Sequence, residues 1–280
     1  MRHAIAGQYN EAHDATPPIT TMTATPTPSR PLTILTGASR GLGFGMARAL
    51  IAEGHALLTL ARHDSAELAA LARNTPGASL TQWSRDLGDG GARAAADLER
   101  WLGTLGASAF ASVTLINNAA VLPRIGPIAD ADPTDIERVL RVGLEAPIAL
   151  TAALLRATAA WRCPRRVLQI SSGNGRRAMA AQSLYSAAKA GLDHFARCVA
   201  LEEAARANGA RICSLAPGII DTDMQTELRA ADPTAFPDHA RFVAFHREGL
   251  LLGIDAAARR VLAYLARPNF GEEPVADVRD

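Results

Sequence analysis

Tyr185 and Lys189 stand four residues apart, with Ser172 thirteen residues ahead of the tyrosine and the run TGASRGLG, from Thr36 to Gly43, far upstream. On a helix, positions i and i+4 project from the same face, so this spacing sets a phenol beside an ammonium. A phenol with a reference pKa of about 10 is a poor proton carrier at neutral pH. A fixed cation nearby favours the phenolate and is expected to pull that pKa down, toward the range where acid–base transfer is efficient. A seryl hydroxyl beside the pair can hold a carbonyl oxygen while hydride arrives from a dinucleotide.

The place for a dinucleotide is the glycine run. Gly37, Gly41 and Gly43 are spaced G-x-x-x-G-x-G, with Ser39, Arg40 and Leu42 between them. They follow a short apolar stretch and open a helical pattern. Glycines there let the backbone turn tightly and approach a pyrophosphate, which rests at the helix N-terminus. A site for NAD places an acid at the end of the second strand, against the ribose 2′-hydroxyl. Here that strand ends Thr59-Leu60-Ala61-Arg62, with Ala61 where the acid would stand. Arg40 and Arg62 offer two guanidinium groups instead, and guanidinium grips phosphate well. The expected cofactor is therefore NADPH/NADP.

These residues need elements to position them. Apolar runs at 32–35, 56–60, 80–83, 113–116, 166–170, 212–215 and 274–278 read as strands. Helical patterns lie between them at 42–53, 66–72, 92–102, 183–208 and 256–266. Asp132-Pro133-Thr134-Asp135 carries a capping acid, a first-position proline and an acid in the first turn, and predicts one helix running to about residue 160. Strands alternating with long helices imply βαβ units, hence an α/β fold: a doubly wound, Rossmann-type parallel sheet of about seven strands with helices on both faces. Residues 1–30 are rich in Thr and Pro with little to bury and are expected to be disordered, and Met22 within them is a second candidate start. Residues 31–280 then form one domain.

Composition excludes several classes. Among 280 residues, 29 Lys and Arg face 28 acids, aromatics make up only 5%, and no run of like charge stands out, so nothing suggests a nucleic-acid partner. No apolar stretch approaches the roughly 18 residues of a spanning helix, and nothing near Met1 resembles a signal segment, so no membrane role is expected. Cys163, Cys198 and Cys213 have neither metal nor redox spacing; no metal is expected, and a sparse, odd count fits a reducing, cytoplasmic setting.

Taken together, these motifs resemble the short-chain dehydrogenase/reductase family, from about Pro31 to the C-terminus. The resemblance implies that Tyr185 protonates a substrate carbonyl oxygen, that Lys189 lowers its pKa and holds the nicotinamide ribose, and that Ser172 fixes the substrate oxygen. Asp86-Leu87 falls where the family contacts adenine. Asn117-Asn118-Ala119-Ala120 is similar to the family's NNAG, in which Asn118, Ala119 and Ala120 would line the cofactor. Pro217-Gly218-Ile219-Ile220-Asp221-Thr222 matches the PG motif, placing Pro217, Gly218, Ile220 and Thr222 near the nicotinamide or pyrophosphate. Residues 223–253 then read as a lid, with Met224 on its inner face.

One departure stands out: Val142-Gly143-Leu144 replaces a V-N-L stretch whose Asn, in the family, distorts the helix and frees a carbonyl for a water relay. Gly143 lacks that side chain but is itself a weak point in a helix. An Asn restored there is expected to be tolerated. Within the family, PGIIDTDMQ, SSGNGRR and the closing Val-Arg-Asp are similar to the sepiapterin reductases and bacterial benzil reductases, which implies a substrate-anchoring role for Asp277. The resemblance implies an NADPH-dependent reductase of a ketone or α-dicarbonyl, acting as a homodimer or homotetramer. A 3-oxoacyl reductase or other short-chain alcohol dehydrogenase, and a non-catalytic NADPH-binding regulator, are the alternatives.

Overall fold

All five residues of Leu32–Thr36 are buried, and they form β1, the strand from which the sheet grows in both directions. The computed structural model describes residues 30–280; the segment expected to be disordered, Met22 included, lies outside the described residues save Arg30. β2 (Ala56–Ala61) and β3 (Ser79–Ser84) extend the sheet on one side of β1. On the other lie β4 (Val113–Asn117), β5 (Arg165–Ile170), β6 (Arg211–Ala216) and β7 (Val275–Asp277). The order is β3-β2-β1-β4-β5-β6-β7, and each of these pairings is parallel. Stretches such as Leu57-Leu58-Thr59-Leu60 are buried without alternation because helices cover both faces.

The connecting helices are α1 (Gly41–Ala52), α2 (Ala66–Asn74), α3 (Leu87–Gly103), α4 (Pro133–Leu140), α5 (Ala146–Ala157), α6 (Ser183–Ala204), α7 (Asp223–Ala230), α8 (His239–Arg247) and α9 (Ile254–Ala266). On one face, Met46 and Leu50 of α1, Leu68 of α2 and Val261 of α9 form a core with Leu35 and Leu57. On the other, Leu98 of α3, Leu150 of α5 and Ala196 of α6 pack over Ile34, Leu58 and Leu115. A third, smaller cluster of Leu228, Phe236 and Phe242 lies under α7 and α8, the segment expected to be a lid. The chain builds outward from β1 through β2 to β3, then crosses back to β4. The carboxyl ends of β1 and β4 therefore flank the point where strand order reverses, and crevices for ligands form at such points.

Most element ends fall within two residues of their predicted spans, and α6 stops at Ala204, four residues short of 208; two helices differ more instructively. The helix capped by Asp132, whose carboxylate accepts from Thr134 N–H at 2.8 Å, does not run unbroken to residue 160. It passes through a π turn at Arg141–Glu145, where Ala146 N–H reaches Arg141 O, and α5 ends at Ala157. Pro147 explains part of this, because it has no N–H to give to the Gly143 carbonyl one turn earlier. The helix predicted from 92 instead starts at Leu87, capped by Asp86, which accepts from Gly88 N–H at 2.8 Å. Gly90 kinks it with non-helical backbone, which hides the first turn from a periodicity reading.

Candidate active site

The carboxyl ends of β1 and β4 are tied together before any side chain of the cleft is placed. Thr36 Oγ1, at the end of β1, accepts from Asn118 N–H at 2.9 Å and Ala119 N–H at 3.0 Å. Asn118 Nδ2 in turn donates to Thr36 O at 3.1 Å and Gly37 O at 3.2 Å. The glycine loop is thus held from below by the Asn of the NNAA stretch. Gly37 has φ +71° and Gly41 φ +56°, left-handed backbone that favours glycine. Gly43 is required for a different reason: a Cβ there would lie 2.1 Å from Gly37 O and 2.5 Å from Asn118 Nδ2.

Above these ends opens a cleft of about 720 Å³. Every residue singled out in the sequence for cofactor or catalysis lines it, from Ser39 and Leu42 in the loop to Ala120, Pro217, Ile220 and Thr222, and Met224 reaches it from α7. Arg40 and Arg62 both stand at this cleft. Arg40 Nη1 donates to Asp223 Oδ2 at 2.8 Å, an exposed pair that bridges the glycine loop and the start of α7. Such surface pairs are weak and readily exchange partners. Arg85, just past β3, and Arg138 of α4 bring two further guanidinium groups to the cleft that the sequence did not single out; for Arg85, its position after the third strand was the available signal.

The chemical end of the cleft is built by β5 and α6. Lys189 is 3% exposed, donates from Nζ to Ile170 O at 2.7 Å, and lies 5.6 Å from the centre of the Tyr185 ring. The Ser172 hydroxyl is beside the Tyr185 phenol and itself accepts from Asn174 N–H at 3.2 Å. The i, i+4 reading of phenol and ammonium on one helix face is therefore what the fold makes.

The electrostatics differ from the expectation. Burial pushes the Tyr185 phenol up to about 12, with the Ser172 hydroxyl working against it. Burial pulls the Lys189 ammonium down to about 8, with Asp193 opposing. The net direction is upward because desolvation of the phenolate outweighs the Ser172 hydroxyl, while Lys189 Nζ donates to the Ile170 carbonyl. The result near neutrality is a phenol that keeps its proton beside an ammonium that is still charged.

Gly143 lies in the π turn of Arg141–Glu145, so the helix distortion is present without an Asn side chain. Room for that side chain is limited: a Cβ at Gly143 would stand 3.1 Å from Ala188 Cβ on α6, close enough that one helix must give. The tolerance expected from the sequence therefore carries a cost.

Asp277 is the one predicted site residue not brought to the cleft. It ends β7 and takes a two-pronged grip from Arg279, Nε to Oδ1 at 2.7 Å and Nη2 to Oδ2 at 2.6 Å. That guanidinium holds its carboxyl below the usual range. With both oxygens engaged and no cleft face, Asp277→Ala should leave kcat and KM for carbonyl substrates unchanged and only loosen the C-terminal turn. A selective rise in KM for a substrate bearing ring N–H groups would reverse that conclusion.

Among the described residues, no helix is long and apolar enough to cross a membrane. The family described as short chain dehydrogenase matches residues 32–233 of the chain. The chain is 30% identical over 242 residues to a benzil reductase, (S)-benzoin forming, of Bacillus cereus, covering 86% of this chain and 96% of the relative. It is 31% identical to a sepiapterin reductase of Xenopus tropicalis, covering 84% and 90%. Among solved structures, a short-chain dehydrogenase/reductase of Burkholderia vietnamiensis shares 35% identity with a TM-score of 0.58, over 91% of this chain and 99% of that one.

Proposed function

Because the chain belongs to the short-chain dehydrogenase family, we propose that it is an NADPH-dependent carbonyl reductase acting on a ketone or α-dicarbonyl, of the kind the benzil and sepiapterin reductases represent. The observation that carries this reading is the convergence, in one cleft, of Ser172, Tyr185 and Lys189 with the glycine loop and two arginines at the adenosine end. The fit to a dinucleotide rests on the cradle itself. Gly37, Gly41 and Gly43, with Leu42, bring the glycine loop and the first turn of α1 to the cleft wall, where a helix N-terminus can receive a pyrophosphate.

When bound, NADPH supplies the hydride that adds to the carbonyl carbon. The remaining work belongs to the protein. Ser172 donates to the carbonyl oxygen and fixes its direction relative to Tyr185. As the carbon is reduced, Tyr185 transfers its phenolic proton to that oxygen, giving the alcohol and a phenolate. The Lys189 ammonium stabilises the phenolate until a solvent proton replaces the one given up. A phenol that holds its proton at neutral pH suits the reducing direction, since the donor is loaded before the substrate arrives. The apolar cluster beneath α7 and α8, with Met224 and Met179 at its edge, offers a surface for an uncharged substrate. A reducing, cytoplasmic compartment and a dimeric or tetrameric assembly complete the proposal.

The cofactor choice rests on Arg40, Arg62 and the absence of an acid at Ala61. Arg62→Ala should weaken NADPH by tenfold or more, about the worth of one charge-assisted phosphate contact, and leave NADH nearly unaffected. Fluorescence titration with each cofactor measures this. Equal affinity of the parent protein for NADPH and NADH would remove the 2′-phosphate site from the account.

A further inference from the structure

Asp193 is a carboxylate that the chemistry above does not use, and it is only 1% exposed. It sits four residues beyond Lys189 on α6, so Tyr185, Lys189 and Asp193 climb one helix face a turn apart. The end of β5 meets that face rung by rung. Ile170 O accepts from Lys189 Nζ at 2.7 Å, Ser171 Oγ donates to Asp193 Oδ1 at 2.6 Å, and the Ser172 hydroxyl is beside Tyr185. Ser214 Oγ of β6 donates to the same Oδ1 at 2.7 Å. Oδ2 has no hydrogen-bond partner among the described residues and faces Arg176 Nε at 3.6 Å. Arg176 also reaches Ala276 O of β7, donating from Nη2 at 2.6 Å. The backbone is shaped around this group: a Cβ at Gly175 would lie 2.7 Å from Asp193 Oδ2 and 3.0 Å from Lys189 O.

We propose that Asp193 is a positioning residue of the active site: through Ser171 it sets the strand end that presents Ser172, and through its charge it keeps the buried Lys189 ammonium protonated. The proposal rests on the reductase reading given above. A buried carboxylate is tolerated when it is hydrogen-bonded and paired, and here two hydroxyls and a guanidinium meet it. Its location one turn below Lys189 puts negative charge where burial otherwise strips the proton from that amine, and Asp193 does oppose the downward pull on Lys189. The other charged or titratable groups around it are few. Arg176 approaches from the turn after β5, Cys213 from β6, and Tyr264 of α9 reaches Cys213. Burial raises Cys213 to about 11 and Tyr264 to about 12, so neither changes charge in the range where Lys189 does.

The test is the pH profile of kcat for NADPH-dependent reduction of benzil, between about pH 6 and pH 10, in the parent, Asp193→Asn and Arg176→Met. The parent should lose activity on the alkaline side near pH 8, as Lys189 gives up its proton. Asp193→Asn keeps an oxygen for both hydroxyls but removes the charge. Removing a negative charge lowers the pKa of neighbouring groups, so its alkaline limb should move down by about one unit, with NADPH affinity little changed. Arg176→Met removes a positive charge and should move the limb upward. A limb that stays in place in Asp193→Asn while activity only scales down at all pH values would reduce the residue to a structural one and overturn the proposal. If Asp193→Asn does not fold by circular dichroism, Arg176→Met decides alone, and an unmoved limb there overturns it equally. Failure of the parent to oxidise NADPH with any carbonyl is a separate outcome that strikes the reductase reading itself.

Discussion

Tyr185→Phe is expected to cut kcat for carbonyl reduction by at least about a thousandfold while NADPH binds with nearly parental affinity. The substitution removes one oxygen from a ring that stays packed on α6, beside Lys189 and Ser172. It therefore deletes the proton donor and little else. An interaction used only in the transition state lowers kcat and kcat/KM together, which sets this outcome apart from a loss of binding. Stopped-flow or steady-state oxidation of NADPH reads the rate, and cofactor fluorescence reads the affinity. Residual activity within tenfold of the parent would mean that another group delivers the proton.

Gly43→Ala should have a comparably large effect at the other end of the cleft, through geometry alone. Its Cβ would stand 2.1 Å from Gly37 O, a backbone atom that Asn118 Nδ2 holds at 3.2 Å. Neither neighbour is the free end of a flexible side chain, so the loop must open. Opening moves the backbone of Gly37 away from the place a pyrophosphate would occupy. A penalty on the order of 3 kcal/mol is reasonable for such a clash and corresponds to a hundredfold or greater loss of NADPH affinity. Titration of the cofactor, with circular dichroism as a check on folding, measures it. Unchanged affinity in a folded variant would show that the loop does not cradle the dinucleotide in this way.

The sheet was legible in the sequence because its strands are short apolar runs separated by helical periodicity, and the order of motifs along the chain matched the order of strand ends. Tyr185, Lys189 and Ser172 were legible because four-residue spacing on a helix and a serine after a strand survive translation into structure with little room for error. The pKa of Tyr185 was not, since spacing says that a cation is near but not where its nitrogen turns or how dry the phenol is. The break at Arg141–Glu145 hid behind a strong start signal, the capping Asp132 with Pro133 and Asp135, which says where a helix begins and not whether it continues; Pro147 was the overlooked sign. Asp193 escaped because a charged residue on a helix reads as solvated, although it continues the same four-residue step as Tyr185 and Lys189. Asp277 was placed at a pocket by resemblance alone, and Arg279, two residues on, takes both of its oxygens.

The central claim, that this cleft moves hydride from NADPH to a carbonyl carbon, is tested most directly with NADPH deuterated at the hydride-donating carbon and benzil as substrate. The account predicts one deuterium on the carbinol carbon of the product for each NADPH oxidised, with Tyr185→Phe making that labelled alcohol at least about a thousandfold more slowly. Alcohol formed without deuterium, or no NADPH oxidation with benzil or any other carbonyl, would contradict it.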